Sequence, residues 1–510
     1  MDALFAPLVE ATGASTDQIK LIVCLLFAYP LGSLFIRVPS QKPGLRHMFS
    51  IAVTMFFLLS LFKMYSGTLQ LLADILVTYF VAKWNTGPKM PWIIFFFALG
   101  HLMVNHVIRV FYGLSFETVE VTGAQMVLVM KLTTYAWNVY DGRRKTEDLD
   151  AWQLSNRITE NPSLLEFLGY CFYFPGFFVG PYLIYNDYKS LVDETVFKEK
   201  NIKGIKGRNL ADGRKRFGYR KMVAGLVFLG IFVVVGGRYN PSVILSPHFA
   251  EKSLLIRIVC WQFYVTVERC KYYAVWTLSE GASIITGLGF TGFTPSGQST
   301  WNGAANVSAM STEWPSNFKH LLESWNMKAN IWLRECVYKR VTPKGKKPGF
   351  ASSMVTFTAS AVWHGAAIGY YLTFVMGGFV TTAARLVRAN VRPLVLPEPG
   401  HPASLAKHLY DLIGTLTSIA IVNYITLPFA LLTWNESIEG WRRLAWYGHI
   451  IIMGGLVFFY VGGAKFLRGL QVKAGKRKAM STASGTTTPV GEKTFQLPPS
   501  FDKVAPPSRD

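Results

Sequence analysis

Charge is what this sequence has least of. Only 16% of its 510 residues are Asp, Glu, Lys or Arg, where soluble domains carry roughly a quarter. Half of the chain (51%) is hydrophobic and 15% is aromatic, a balance that apolar surface facing lipid explains and a water-facing coat does not. Cysteine is nearly as scarce. Cys24, Cys171, Cys260, Cys270 and Cys336 sit in or beside apolar runs without paired metal-ligand spacing, which excludes a disulfide framework and leaves no metal site to expect. A basic leader is missing too: Asp2, Glu10 and Asp17 precede the first lysine, Lys20, so the first apolar run is expected to act as its own insertion signal. No solenoid-type repeat is visible.

What is present is apolar sequence in recurring blocks. Candidate membrane segments lie near 21–36, 49–62, 68–82, 91–113, 121–138, 164–185, 222–236, 253–277, 350–384, 409–433 and 445–464. Several are shorter than the roughly 20 residues that cross a bilayer upright, so some must be re-entrant or buried in protein. The block 164–185 carries Pro175, Gly176, Gly180 and Pro181, and irregular backbone at membrane depth is tolerated only where protein or a cavity satisfies it. The expected fold is all-α, a polytopic membrane protein of roughly 11 transmembrane or re-entrant helices around an internal catalytic chamber. No linker interrupts it, so residues 1–470 read as one domain. Residues 471–510 read as a tail, first basic and then rich in Ser, Thr and Pro, that buries too little to fold.

The formal charge of +22 is the usual sign of a nucleic-acid binder. Here, however, the basic residues form short clusters between apolar runs, the pattern of cytosolic loops, and no nucleic-acid partner is expected. The stretch Lys198–Lys221, with Lys203, Lys206, Arg208, Arg214, Lys215 and Arg216, and the tail with Lys473, Lys476, Arg477 and Lys478 should both be cytosolic. Arg37, Lys42 and Arg46 follow the first span, which sends the N-terminus to the lumen. One conflict stands. Lys344, Lys346 and Lys347 precede 350–384, and Arg385, Arg388 and Arg392 follow it. Either that block is a hairpin turning near Gly365–Gly369 or one basic loop breaks the rule.

Polar groups inside apolar blocks are costly, and each is a functional candidate. In Ser360-Ala-Val-Trp363-His364-Gly365, His364 lies about 21 Å along a helix that begins at Phe350. A neutral imidazole, the form that an apolar medium favours, suits a general base. The plain alternative is a buried histidine satisfied by a backbone carbonyl. In Trp325-Asn326-Met-Lys-Ala-Asn330-Ile-Trp332-Leu-Arg334, a helix would put Asn326 and Asn330 on one face, where a neutral amide stabilises an oxyanion or holds a hydroxyl. An interfacial helix with a tryptophan belt is the competing reading. In Glu268-Arg269-Cys-Lys271-Tyr272-Tyr273, Glu268 can pair with Lys271 or Tyr272, either as a buried bridge or as part of a polar tunnel. His101 and His106, five apart, do not align as two ligands on one helix face, and read as structural or interfacial.

Taken in order, Trp137-Asn-Val-Tyr-Asp141-Gly142, Phe174-Pro-Gly-Phe-Phe-Val-Gly180-Pro181, Arg269-Cys-Lys-Tyr-Tyr273, Trp325-Asn326 through Trp332, and Trp363-His364-Gly365 resemble the membrane-bound O-acyltransferase family. Within it the resemblance is to the lysophospholipid acyltransferase branch, of the fungal broad-specificity type. The motifs cover most of the chain from about 120 to 375. Trp-His-Gly alone would be weak; the ordered set is specific.

The resemblance implies an endoplasmic-reticulum multi-pass enzyme that uses acyl-CoA as cosubstrate, needs no cofactor and acylates the free hydroxyl of a lysophospholipid. It places the family histidine on His364 and the family asparagine on Asn326, with Asn330 as a second asparagine. Trp325, Asn330, Trp363, Arg269, Lys271, Tyr272, Tyr273 and Arg334 would bind substrate; apart from the resemblance, the basic side chains Lys271, Arg334, Lys339 and Arg340 are candidates to meet the CoA phosphates. One departure is visible: Ile368 stands in Ala367-Ile368-Gly369-Tyr370-Tyr371 where related enzymes often have proline, which blurs which lysolipid the site prefers. The competing functions are an O-acyltransferase for a sterol, diacylglycerol or protein, and a lipid transporter. The Arg269 and Phe174 motifs speak against the first. The lack of paired broken helices in two halves speaks against the second.

Overall fold

The computed structural model describes residues 2–114, 118–198, 210–343, 345–346, 349–398 and 400–476. Lys203, Lys206, Arg208, Lys344, Lys347 and the expected tail beyond 476 lie outside the described residues. Where described, the chain is almost wholly helical. Its one sheet there is a two-rung antiparallel ladder, Gly292 opposite Thr300 and Phe293 opposite Ser299. Helices are what a chain in lipid must form, because they satisfy every interior backbone group within the segment.

The first half is a bundle of α1 (Thr16–Phe35), α2 (Pro43–Met55, prolonged by a π-helical turn, Phe56–Leu61), α3 (Tyr65–Trp84), α4 (Met90–Phe111) and α5 (Val121–Gly142). A capping box starts α1, with Ser15 and Gln18 exchanging side-chain and backbone bonds. Then come α6 (Arg214–Gly236) and the 33-residue α7 (Leu254–Thr286), a short α8 (Met327–Leu333), α9 (Phe350–His364), α10 (Ile368–Asn390), α11 (Leu405–Ile425) and α12 (Tyr447–Phe458).

Among the described residues, seven helices are long and apolar enough to cross a membrane. Four sequence blocks, 121–138 (α5), 164–185, 253–277 (α7) and 350–384 (α9 and α10), are not among them. Almost every residue of α5 is buried, polar Gln125, Lys131, Thr134, Asn138 and Asp141 included, so protein rather than lipid surrounds it. The C-terminal half of α7 is likewise buried, with the Tyr29 hydroxyl donating to the Leu278 carbonyl at 2.9 Å. The block 164–185 is also no span. It is a short helix, Leu164–Cys171, followed by irregular backbone. That backbone is held by protein: Lys131 Nζ donates to the carbonyls of Tyr170 and Cys171 at 2.9 and 3.1 Å, and Ser279 Oγ to that of Pro175 at 2.7 Å. A Cβ on Gly176 would lie 2.6 Å from the Pro181 carbonyl oxygen, so only glycine fits that fold-back.

The conflict over 350–384 is resolved as a hairpin. Gly365 (φ 138°) ends α9, and α10 runs back along it, pairing Phe350 with Phe379 and Phe357 with Phe374. Lys346, before α9, and Arg385 and Arg388, at the end of α10, therefore share one face of the protein. Loop contacts agree. On that basic face Arg46 meets Val192 and Glu194, Arg143 the carbonyls of Ala82 and Asn85, Arg340 Asp141, and Gln471 the Asn390 carbonyl. On the opposite face Val119 meets Asp17, and Arg443 the carbonyls of Ile244 and Ser246.

Candidate active site

The turn between α9 and α10 carries His364. Its imidazole sits in an aromatic cage: Phe374 stacked at 5.1 Å, Phe429 edge-on at 5.0 Å, Tyr370 at 5.6 Å, and its neighbour Trp363 at 4.6 Å between ring centroids. It is partly accessible and makes no hydrogen bond to any described residue. The expectation of a histidine merely satisfied by a carbonyl therefore fits a different residue. His106, on α4, places Nε2 3.2 Å from the Trp363 carbonyl oxygen. A carbonyl only accepts, so His106 carries its proton on Nε2. That carbonyl is among the last of α9, which lack a helical partner, and His106 thus pins the backbone that presents His364. Trp363 anchors the same turn through its indole N–H, bonded to the Met126 carbonyl at 2.9 Å. His106 was legible in the sequence only as a polar residue in an apolar helix; its partner is 257 positions away.

Asn326 lies outside the helix that spacing suggested. It caps α8 in a left-handed conformation (φ 43°, ψ 54°), so it does not stack on Asn330, whose Nδ2 donates to the Leu322 carbonyl at 2.9 Å. Trp332, fully buried, donates to Thr133 Oγ1 at 2.8 Å and packs 5.7 Å from Trp363, which ties α8 to the histidine turn. Trp325 meets Trp276, Tyr272 and Tyr273 edge-on at 5.0, 5.5 and 5.9 Å. Because Asn326 caps α8, and Trp332 of α8 packs on Trp363, Asn326 and His364 are carried by elements packed against each other.

The charged candidates are arranged otherwise. Arg269 grips Glu313 with two nitrogens (2.7 and 2.5 Å) and reaches Asn423 Oδ1 at 2.6 Å, and Tyr273 donates to the same carboxylate at 2.5 Å. Lys271 pairs with Glu268. On the basic face Arg340 holds Asp141 with two bonds, 2.9 and 2.5 Å, while stacking over Trp137. Lys339 bridges Asp150 and Glu335 at 2.7 and 2.6 Å. Burial works to raise the Asp150 carboxyl, but the Lys339 hydrogen bond, those from the Gln153 and Trp152 backbone N–H groups and the Lys339 charge together leave it below the ordinary range. Among the described residues Arg334 spends only Nε, on Glu335 at 2.8 Å. Glu313 and Asn306 were not singled out in the sequence, and nothing there signals them except their distant partners.

The family model for MBOAT, the membrane-bound O-acyltransferase family, matches residues 111–426, which takes in α5, the irregular 164–185 segment, α8 and the histidine hairpin. The chain belongs to the membrane-bound O-acyltransferase family. It is 40% identical over 450 residues to a lysophospholipid acyltransferase of Schizosaccharomyces pombe, covering 88% of this chain and 87% of the relative. A lysophospholipid acyltransferase of Saccharomyces cerevisiae is 34% identical, covering 89% and 75%. Human membrane-bound glycerophospholipid O-acyltransferase 1 is 30% identical, covering 87% and 89%. The matched region holds both His364 and Asn326.

Proposed function

We propose that the protein is an acyl-CoA-dependent lysophospholipid acyltransferase of the endoplasmic reticulum membrane, forming diacyl phospholipids during remodelling. The observation that carries this reading is the His364 imidazole: partly accessible, caged by aromatic rings, and free of any hydrogen bond to described residues. Its lone pair is available to a substrate hydroxyl, as a general base requires. His364 removes the proton from the free glycerol hydroxyl as that oxygen attacks the thioester carbonyl. The carbon–sulfur bond breaks, and the imidazolium returns the proton to the departing CoA thiolate. The transfer is read as direct, with no covalent acyl-enzyme, as the family resemblance implies. Trp325, Tyr272, Tyr273 and Trp363 give the acyl chain and glycerol an apolar wall. The basic face is read as cytosolic, and CoA phosphates approach there, where the two terminal guanidinium nitrogens of Arg334 meet no partner among the described residues.

The experiment is turnover by the purified protein in lipid nanodiscs, with a panel of lysolipids and acyl-CoAs, for wild type and His364→Ala. Removal of a general base lowers the rate by about 10²–10⁴. Near-wild-type turnover by a well-folded His364→Ala protein overturns the assignment. Turnover only with a sterol, diacylglycerol or peptide acceptor overturns the substrate class.

A further inference from the structure

We propose that Asn306 is a positioning residue that sets which atom of the Asn326 amide faces the substrate; this rests on the reading of Asn326 as part of the acyl-transfer site. Three bonds tie Asn306, itself buried, to the start of α8. Its carbonyl accepts from the Met327 N–H at 2.8 Å, its Oδ1 accepts from the Lys328 N–H at 3.0 Å, and its Nδ2 lies 3.2 Å from Asn326 Oδ1.

The orientation of both amides follows from this geometry. A backbone N–H can only donate, so the Asn306 atom that meets Lys328 must be the oxygen. Its other atom is then the nitrogen, a donor, and the Asn326 atom facing it must be the oxygen. Asn326 is left with its Nδ2, which no described residue engages, on the partly accessible side. Asn326 therefore keeps its donor, the Nδ2, for the site and turns its oxygen to Asn306. A donor serves the thioester oxygen as it becomes an oxyanion; it cannot accept the proton of the attacking hydroxyl. The left-handed backbone of Asn326 (φ 43°), a conformation asparagine tolerates better than most residues, turns the amide toward its partner, and Asn306 holds it there.

Asn306→Asp separates this role from simple packing. The introduced carboxylate is nearly the same size and still accepts from Lys328, but it cannot donate to Asn326. The Asn326 amide then turns its nitrogen to that carboxylate and its oxygen to the site. We expect kcat to fall with KM for acyl-CoA little changed, by a factor approaching the roughly 10²–10³ that loss of an oxyanion donor costs. Asn306→Ala, which frees the amide without reversing it, should fall less. Because both act through Asn326, neither should reduce kcat further in an Asn326→Ala background. Equal, multiplicative losses in both backgrounds, measured on variants with matched melting temperatures in detergent, overturn the proposal. So does a kcat for Asn306→Asp within twofold of wild type. If Asn326→Ala alone leaves kcat intact, it is the reading of Asn326 that fails.

Discussion

Gly365 gives the sharpest test of how the histidine is presented. Its backbone, φ 138° and ψ −171°, lies in a region that is essentially glycine-only, where another residue costs about 1–3 kcal/mol. An added Cβ would also stand 3.2 Å from Tyr370 Cε2 and 3.4 Å from the His106 ring. Those contacts are tight but not prohibitive, so backbone strain outweighs them. Gly365→Ala must therefore either keep the turn and lose about 1–3 kcal/mol of stability, or unwind the end of α9 and move His364. In the second case a shift of about 1 Å lowers turnover by about 10². The His106 and Trp363 anchors favour the first outcome, with kcat lowered several-fold at most and a clear fall in melting temperature. Gly414, within α11 and with nothing near an added Cβ, is the control; alanine there should be neutral or stabilising. The assay pairs a melting curve in detergent with acyl-transfer turnover in nanodiscs. If Gly365→Ala matches wild type in both, the turn does not hold the geometry assigned to it.

His106→Phe fills the same volume but leaves the Trp363 carbonyl unpaired, costing about 1–3 kcal/mol; turnover should drop while KM holds, and His106→Gln, which restores a donor, should recover part of it. Equal activity for the Phe and Gln variants would reduce His106 to packing. Topology can be read with cysteine labelling in a variant lacking the native cysteines. Glu436→Cys, on the short helix Trp434–Arg443 of the opposite face, should resist an impermeant thiol reagent until the lumen is opened, whereas Lys473→Cys should label from the cytosol at once. Cytosolic labelling of Glu436→Cys would invert the assignment of the last span.

How much of this was readable beforehand depended on how local each signal was. α1, α3, α4 and the last span appear as apolar runs because lipid covers them, and lipid contact leaves its mark in composition. α5 is a helix by spacing yet carries Lys131, Asn138 and Asp141 in its buried surface, so composition alone could not say that protein encloses it on every side. The 350–384 hairpin was visible as an ambiguity of charge, and the glycine at its apex settled it. Asn306 and Glu313 were invisible, because their meaning lies in partners 20 and 44 positions away.

The fate of the candidate residues follows one physical rule. Charges carried into an apolar interior must be matched, and the matching consumes them: Arg269 on Glu313, Lys271 on Glu268, Arg340 on Asp141. Each was a reasonable substrate ligand from the sequence; Arg269 and Arg340 are committed to carboxylates on other elements, and Lys271 to one within its own helix. Neutral polar groups escape this obligation because an unsatisfied imidazole or amide costs less than an unpaired ion. His364 and Asn326 can therefore be held in the interior with a lone pair and an N–H left over. Chemistry at membrane depth needs such an unspent donor and acceptor. In this chain the informative residues are the uncharged polar ones in apolar surroundings, and the charged motifs beside them mark the framework that keeps those groups in place.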